Sequence, residues 1–173
     1  MTENNLLIDE EVDLLDFDES EDWTNLSIDS ITYKTKTLDE WSQELSLPDL
    51  DLHLLDNVEK YNNSAIKITE KVGRHLSLTK ASYYLAKAAF SHKIHTEKMN
   101  ISKSIEGTNK KLPSQDNLER LALDKSTKEW RLMIKSELIY EFWLTHSYKI
   151  NQINARLTSL NVLKNIESKN LIN

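Results

Sequence analysis

The sequence lacks cysteine and is poor in the residues that make tight turns, with two glycines and two prolines among 173 residues. Without cysteine the chain has neither a disulfide framework nor a thiolate metal site, which fits a reducing compartment. A fold of many short strands needs a turn residue at most reversals of the chain, and this composition cannot supply them. The sequence therefore predicts an all-α fold built from long helices.

Long hydrophobic runs are also missing. No apolar stretch approaches the ~20 residues that cross a bilayer. At the N-terminus no basic flank precedes an apolar stretch. We therefore expect neither a transmembrane span nor a secretory signal. The expected protein is soluble and cytoplasmic, and it has no membrane partner.

The motifs of common enzyme classes are absent as well. No glycine-rich loop that could hold a phosphate occurs in the sequence. His92 and His95 lie three residues apart, with His75 upstream, but no carboxylate completes a ligand set at helical spacing, so we interpret the pair as solvated. The basic part of the chain has too few carboxylates for a visible acid–base pair. We expect no catalytic residue, no metal site and no cofactor, and a protein that binds rather than catalyses.

Charge is divided unevenly along the chain. The formal net charge is -6, yet residues 1–56 carry 17 acidic and 2 basic side chains, a balance of -15. Residues 57–173 carry 11 acidic and 20 basic side chains, a balance of +9. Such asymmetry indicates a basic functional body with an acidic tail, which the pI of the whole chain conceals.

The acidic tail, residues 1–36, is predicted to be disordered and is separated from a helical domain over residues 37–173. It contains the stretch "LLIDEEVDLLDFDESEDW", in which leucine and aromatic side chains alternate with carboxylates. This composition is typical of an amphipathic acidic segment that is disordered alone and orders on a basic partner. A tail that only keeps the protein solvated is the alternative, and the residues do not decide between the two.

The helical domain is predicted to begin with a short helix and to continue with two long ones. Thr37 followed by Glu40 has the spacing of a capping box at the start of the short helix. Apolar residues then recur every three or four positions from near Asp56 past residue 100, which predicts one long amphipathic helix. The stretch "GTNKKLP" predicts a connection. Ser114 or Asp116 caps a second helix that is predicted to run unbroken to about residue 167, so the two long helices form a hairpin.

The second long helix shows a repeat of seven residues that is typical of coiled-coil packing. A further apolar set, Ile134, Leu138 and Phe142, widens its face beyond what one partner helix covers. Either a third helix of the same chain or another subunit must cover it, and we favour a ring-like homo-oligomer because the short helix is too small. The predicted oligomerisation residues are Leu132, Ile139, Trp143, Ile150, Ile153, Leu157 and Leu160.

Two adjacent tyrosines fall on different faces of the first long helix. At ~100° per residue, Tyr83 lies within the apolar stripe and is predicted to pack in the core. Tyr84 lies on a separate column with Lys80, Lys87 and Lys98. Cations that contact successive phosphates, and a ring on which a base stacks, are the features of a site for single-stranded nucleic acid.

A second basic column on the same helix contains Lys60, Lys67, Lys71 and Arg74, at spacings of seven, four and three. Cations on one helix face repel each other, so their clustering suggests a polyanionic partner. The alternatives are a solvated face and pairing with the acidic tail. The predicted DNA-binding residues are Lys80, Tyr84, Lys87, Lys67, Lys71, Arg74 and Lys98.

Three short motifs occur in a characteristic order, namely "TLDEWSQEL", "TKASYYLAKA" and "INQINARLTSLNVLKNIE". In the second, Lys80 and Lys87 stand three residues before and three residues after the tyrosine pair. In the third, Arg156 follows isoleucine and asparagine and precedes apolar residues at helical spacing. With these motifs, residues 37–173 resemble the UvsY-type recombination mediators of T-even-like tailed phages. The acidic stretch before Thr37 lies outside the resemblance.

The resemblance implies an all-α homo-oligomer without catalytic activity that acts in phage DNA recombination, repair and replication. Its implied partners are single-stranded DNA, a RecA-like recombinase and a single-strand binding protein, and its implied task is to load the recombinase onto strands covered by the binding protein. The DNA-contacting basic position of the family corresponds to Lys80, and the expected location is the cytoplasm of the host cell. The alternative is a phage structural or assembly protein, such as a scaffold or packaging adaptor, that forms a helical oligomer.

Overall fold

The computed structural model describes residues 27, 30–47, 55–106, 108 and 111–170, with the side chains of 55–59 and 163–170 left aside. This part of the chain is mostly helical, which confirms the predicted all-α class. Its elements are β1 (Thr32–Tyr33), β2 (Lys36–Thr37), α1 (Leu38–Glu44), α2 (Leu55–Glu106), α3 (Gln115–Asp124) and α4 (Thr127–Asn170). The acidic segment within residues 1–26 lies outside the described residues.

The chain divides into two compact units, and both long helices contribute to each of them. Among the described residues, unit 1 contains 80–106, 108 and 111–137. Unit 2 contains 27, 30–47, 55–79 and 138–170.

Unit 2 begins with a small β-hairpin that the sequence did not predict. Strands β1 and β2 are antiparallel, with Thr32 paired to Thr37 and Tyr33 paired to Lys36. The reversal between them contains Lys34, whose φ of 56° lies in the left-handed region. Ile31 and Tyr33 are buried. The hairpin therefore lies within a stretch that the sequence assigned to the tail, up to residue 36, and to the start of the helical domain.

Helix α1 starts with the predicted capping box. The Glu40 N–H donates to Thr37 Oγ1 at 3.2 Å, and the Thr37 N–H donates to Glu40 Oε2 at 2.8 Å. These two bonds satisfy backbone donors that the first turn of a helix leaves free. The helix buries Leu38 and Trp41, so a local cap holds an apolar face against the rest of unit 2.

The second long helix is interrupted, whereas the sequence predicted an unbroken one. Ser114 caps α3, but α3 ends at Asp124, and Lys125 and Ser126 separate it from α4. The buried Ser126 hydroxyl donates to the Ala122 carbonyl at 2.8 Å, and the Thr127 hydroxyl donates to the Asp124 carbonyl at 2.9 Å. At the break the Ser126 N–H donates to the Leu123 carbonyl at 2.9 Å, three residues back instead of the four of an α-helix, and the stretch contains neither glycine nor proline.

Aromatic side chains form the centre of unit 2. Trp143 of α4 is fully buried, with the rings of Trp41 at 5.3 Å, Tyr33 at 5.8 Å and His75 at 4.5 Å from its own. Further along α2 and α4, Ala65, Ile150 and Leu157 form a second buried cluster. The hairpin and α1 thus cover part of the α4 face that the sequence assigned to another subunit.

This packing within the chain determines how far the predicted oligomerisation residues are buried. Ile139, Trp143, Ile150 and Leu157 are buried by the chain itself. Leu132, Ile153 and Leu160 are half-buried. From the sequence we expected the short helix to be too small to cover this face, because the hairpin beside it was not predicted. Self-assembly stays a prediction, and in this conformation the four buried side chains are not available to a second copy.

Candidate nucleic-acid interface

In unit 1 the two adjacent tyrosines of α2 occupy different environments. Tyr84 is 55% exposed. Tyr83 is half-buried, and its hydroxyl donates to Glu137 Oε1 on α4 at 2.9 Å. This bond to the carboxylate raises the pKa of Tyr83 above its usual value. The prediction that Tyr83 is a core residue is therefore correct in direction but overstates its burial.

Two exposed lysines flank Tyr84 at helical spacing. Lys80 stands four residues before it and Lys87 three residues after it, so all three side chains share one face of α2. Lys87 Nζ lies 5.6 Å from the centre of the Tyr83 ring, and that ring lies 5.5 Å from the Tyr84 ring. We call Lys80, Tyr84 and Lys87 the basic-aromatic group. Tyr83 contacts both Tyr84 and Lys87 of this group, and its hydrogen bond to Glu137 fixes its position.

The other predicted cations are not equally available. Lys98, also in unit 1, forms an ion pair with Glu119 of α3 at 3.4 Å. Lys67 and Arg74 of unit 2 are exposed and stand seven residues apart on α2, two turns along one column. The structure therefore brings together the basic-aromatic group and, separately, the pair Lys67 and Arg74.

Lys71 has a structural role that the sequence did not predict. Both Lys71 and Lys36 pair with the carboxylate of Glu44 at the end of α1, and each ammonium lies 5.0 Å from the centre of the Trp41 ring. Hydrogen bonds from Lys36 and then from Lys71 lower the pKa of Glu44 to about 2. Lys71 and Glu44 are 27 residues apart in sequence, and no local spacing signals such a pair.

The histidines also separate by environment. His92 and His95 are exposed, while His75 is buried, with Nδ1 3.1 Å from the Tyr33 hydroxyl. Burial, followed by the nearby charges of Lys34, Lys71 and Arg74, lowers the pKa of His75 to about 4. Burial also raises the pKa of Tyr33 to about 12. Both side chains are therefore neutral near pH 7, and they belong to the core of unit 2.

No family model, no curated protein and no solved structure matches the chain. Within the described ranges, no group of three or more His, Asp or Glu side chains could hold a metal ion. None of the described helices has an apolar stretch long enough to cross a bilayer.

Proposed function

We propose that the protein binds single-stranded DNA through the basic-aromatic group and acts as a recombination mediator that loads a RecA-like recombinase onto strands covered by single-strand binding protein. The observation that carries the DNA-binding part is the exposed ring of Tyr84 between two exposed lysines. The mediator part is supported by the sequence motifs that resemble the UvsY-type family.

The geometry suits a single strand rather than a duplex. Bases of a single strand are free to stack on an exposed ring, and one such contact is worth ~1–3 kcal/mol for any base. Lys80 and Lys87 lie two helical turns apart, about 10 Å along the axis, on the same face as the ring. They can therefore contact phosphates on either side of a stacked base. A duplex has its bases already stacked and offers no face to Tyr84.

Unit 2 has exposed cations of its own that can contact phosphates. The exposed Lys67 and Arg74 belong to the same helix, although to unit 2. Each site of this kind is modest by itself. In a homo-oligomer one long strand would contact several copies, so its overall affinity would greatly exceed that of one site.

The first test measures fluorescence anisotropy of a labelled oligothymidine with the full chain over a series of salt concentrations. For the double variant Lys80→Ala/Lys87→Ala we expect weaker binding and a slope of log affinity against log salt that is shallower by ~1.4, because each phosphate contact on a single strand contributes ~0.7. Lys103→Ala removes an exposed lysine of the same helix that has no neighbouring ring, and it should leave the slope unchanged. Absence of binding at low salt would exclude the proposal and favour the structural or assembly role.

A second pair of variants isolates the stacking contact. Tyr84→Ala should lower the affinity about 5- to 150-fold, which corresponds to the ~1–3 kcal/mol of one base–ring contact. Tyr148→Ala is the matched control, because Tyr148 is a 62% exposed tyrosine whose neighbours three and four positions away are all uncharged. Equal losses in the two variants would show that Tyr84 has no special role.

The mediator activity needs its own measurement. A RecA-like recombinase hydrolyses ATP when it assembles on a strand, and strand-bound binding protein delays that assembly. The full chain should shorten the delay, and Lys80→Ala/Lys87→Ala should not. A chain that binds single strands but leaves the delay unchanged would retain the DNA-binding proposal and disprove the mediator proposal.

A further inference from the structure

The outer face of α2 in unit 1 carries an apolar stripe that no described residue covers. Its members recur at spacings of three, four and seven, and all of them are exposed. They are Ala81, Tyr84, Leu85, Ala88 and Met99, and the exposed polar His92 lies on the same face between Ala88 and Met99. Leu85 is 53% exposed and Met99 is 45% exposed. Large side chains of this kind, aligned along two or more turns, are typical of a helix face that receives another segment.

Cations border this stripe on one side. Lys80 and Lys87 lie about 40–60° of helix rotation from Tyr84, and Lys98 continues the same column. A segment that packs on the stripe therefore needs apolar residues at helical spacing and carboxylates beside them. A second copy of α2 would bring its own lysine column instead, and like charges would oppose such a pairing.

Residues 1–26 of the same chain have the required chemistry. They contain ten carboxylates and no lysine or arginine. Ile8, Val12 and Leu15 follow the spacing i, i+4, i+7, with carboxylates at most of the positions between them. Extended, 26 residues span up to ~90 Å, whereas residues 80–106 rise about 40 Å along a helix. The segment is long enough to follow the whole stripe.

We propose that the acidic segment 1–26 docks on the apolar stripe of α2 in its own chain and pairs its carboxylates with Lys80 and Lys87. The segment thereby covers the basic-aromatic group and excludes single-stranded DNA from it. This competition rests on the proposed DNA-binding function, whereas the docking does not. A strand that is long enough to contact several copies displaces the segment, so short or scarce strands are rejected.

The docking is tested by carbodiimide cross-linking of the full chain at low salt, followed by mass spectrometry. We expect cross-links that join carboxylates of residues 1–26 to Lys80 or Lys87. In the variant Leu85→Gln/Ala88→Gln, which alters two exposed positions without adding charge, their yield should fall at least tenfold. Ile66→Gln is the control, since Ile66 is a 55% exposed residue of the same helix in unit 2, and the yield should be unchanged.

The occupant is identified by mixing isotopically heavy and light chains before cross-linking. Cross-links confined to chains of one label support docking within the chain. Mixed pairs would overturn it in favour of docking onto a neighbouring copy, and the absence of any such cross-link would overturn docking altogether.

Added oligothymidine separates the two proposals. Loss of the cross-links as the strand binds supports a shared face. Cross-links that persist while the strand is bound would overturn the competition. If the full chain forms the cross-links but binds no strand at low salt, and the Leu85→Gln/Ala88→Gln variant without the cross-links binds none either, the docking is retained and the DNA-binding function is disproved.

Discussion

The two units of the molecule differ in what they bury. Among its described residues, unit 2 encloses eleven apolar side chains, which include the rings of Tyr33, Trp41 and Trp143. Among the described residues of unit 1, the buried apolar side chains are Ala86, Ile101 and Ala122. Two of these are alanines, so unit 1 gains far less from burial, since apolar stabilisation scales with the area removed from water.

Unit 1 instead exposes large apolar side chains. In the part of the chain that the structure describes, the exposed set of unit 1 is Tyr84, Leu85, Met99, Leu112, Leu121, Leu123 and Trp130, and that of unit 2 is Ile66, Tyr148 and Val162. Exposed apolar surface of this extent marks an interaction surface. Within the described residues, unit 2 therefore gains more stability from burial, and unit 1 has the larger number of exposed large apolar side chains. The basic-aromatic group lies in unit 1, which agrees with this division.

The largest expected effect contrasts two tryptophans of α4. Trp143→Ala removes a fully buried ring from unit 2 and should lower the free energy of unfolding by ~3–5 kcal/mol. Trp130→Ala removes a 44% exposed ring from unit 1 and should change it by less than ~1 kcal/mol. Urea denaturation followed by circular dichroism measures both. Comparable losses would mean that unit 1 contributes as much to stability as unit 2.

The next effect concerns pH and the buried His75. Burial holds its pKa at about 4 in the folded chain, against an ordinary value of 6.5. Between these two pH values the unfolded chain is protonated at His75 and the folded chain is not. The contribution of neutral His75 to the free energy of unfolding is therefore complete above pH 6.5 and is lost as pH falls towards 4. The total loss is about 3 kcal/mol.

Urea denaturation at several pH values between 7 and 4 measures this loss. His75→Gln should flatten the pH dependence, because the titrating group is gone. His92→Gln removes an exposed histidine of unit 1 and should leave the dependence as it is. A pH profile that is identical in all three proteins would show that His75 is not the group responsible.

A smaller effect compares the helix caps of the two units. Thr37→Ala breaks the reciprocal bonds at the start of α1, which anchors the buried Leu38 and Trp41, and should cost ~1 kcal/mol. Ser114→Ala removes one long bond of 3.4 Å to the Asn117 N–H of α3 and should cost less. Thermal unfolding compares them, and a larger drop for Ser114→Ala would indicate that α3 matters more for stability than its exposure suggests.

The smallest effect is expected at Tyr84. Tyr84→Ala alters an exposed ring and should shift the melting temperature by no more than about 2 °C. Tyr83→Ala should lower it further, because this half-buried side chain also loses its bond to Glu137. If Tyr84 proved the more sensitive position, its ring would belong to the core rather than to the interface.

Local patterns account for the part of the fold that was predicted correctly. Apolar spacing predicted α2 from near Asp56 past residue 100, and the structure has it at Leu55–Glu106. Thr37 and Glu40 predicted the cap of α1, and the contrast between Tyr83 and Tyr84 followed from helical rotation alone. All of these features depend on residues a few positions apart. Such residues are neighbours on a helix, so their interactions can be predicted from the sequence.

Features that depend on distant residues were missed. Glu137 bonds to Tyr83 across 54 positions and Asn154 to Thr69 across 85. The break at Lys125 and Ser126 falls in a stretch without glycine or proline, and nothing in the local spacing distinguishes the buried Ser126 from an exposed serine. The cover over Trp143 comes from a hairpin whose strands are two residues long.

The sequence by itself determined that the chain is helical, where its long first helix lies and which of two neighbouring tyrosines faces outward, because helix periodicity and capping are local. Only the tertiary structure decided that Trp143 and Ile150 of α4 are buried within the chain and that Lys71 is tied to Glu44. It also decided that the described residues of unit 1 leave an apolar stripe of α2 uncovered. These outcomes depend on contacts between segments that are far apart in the sequence. A side chain is buried only where such segments pack around it, so its identity alone does not determine its burial.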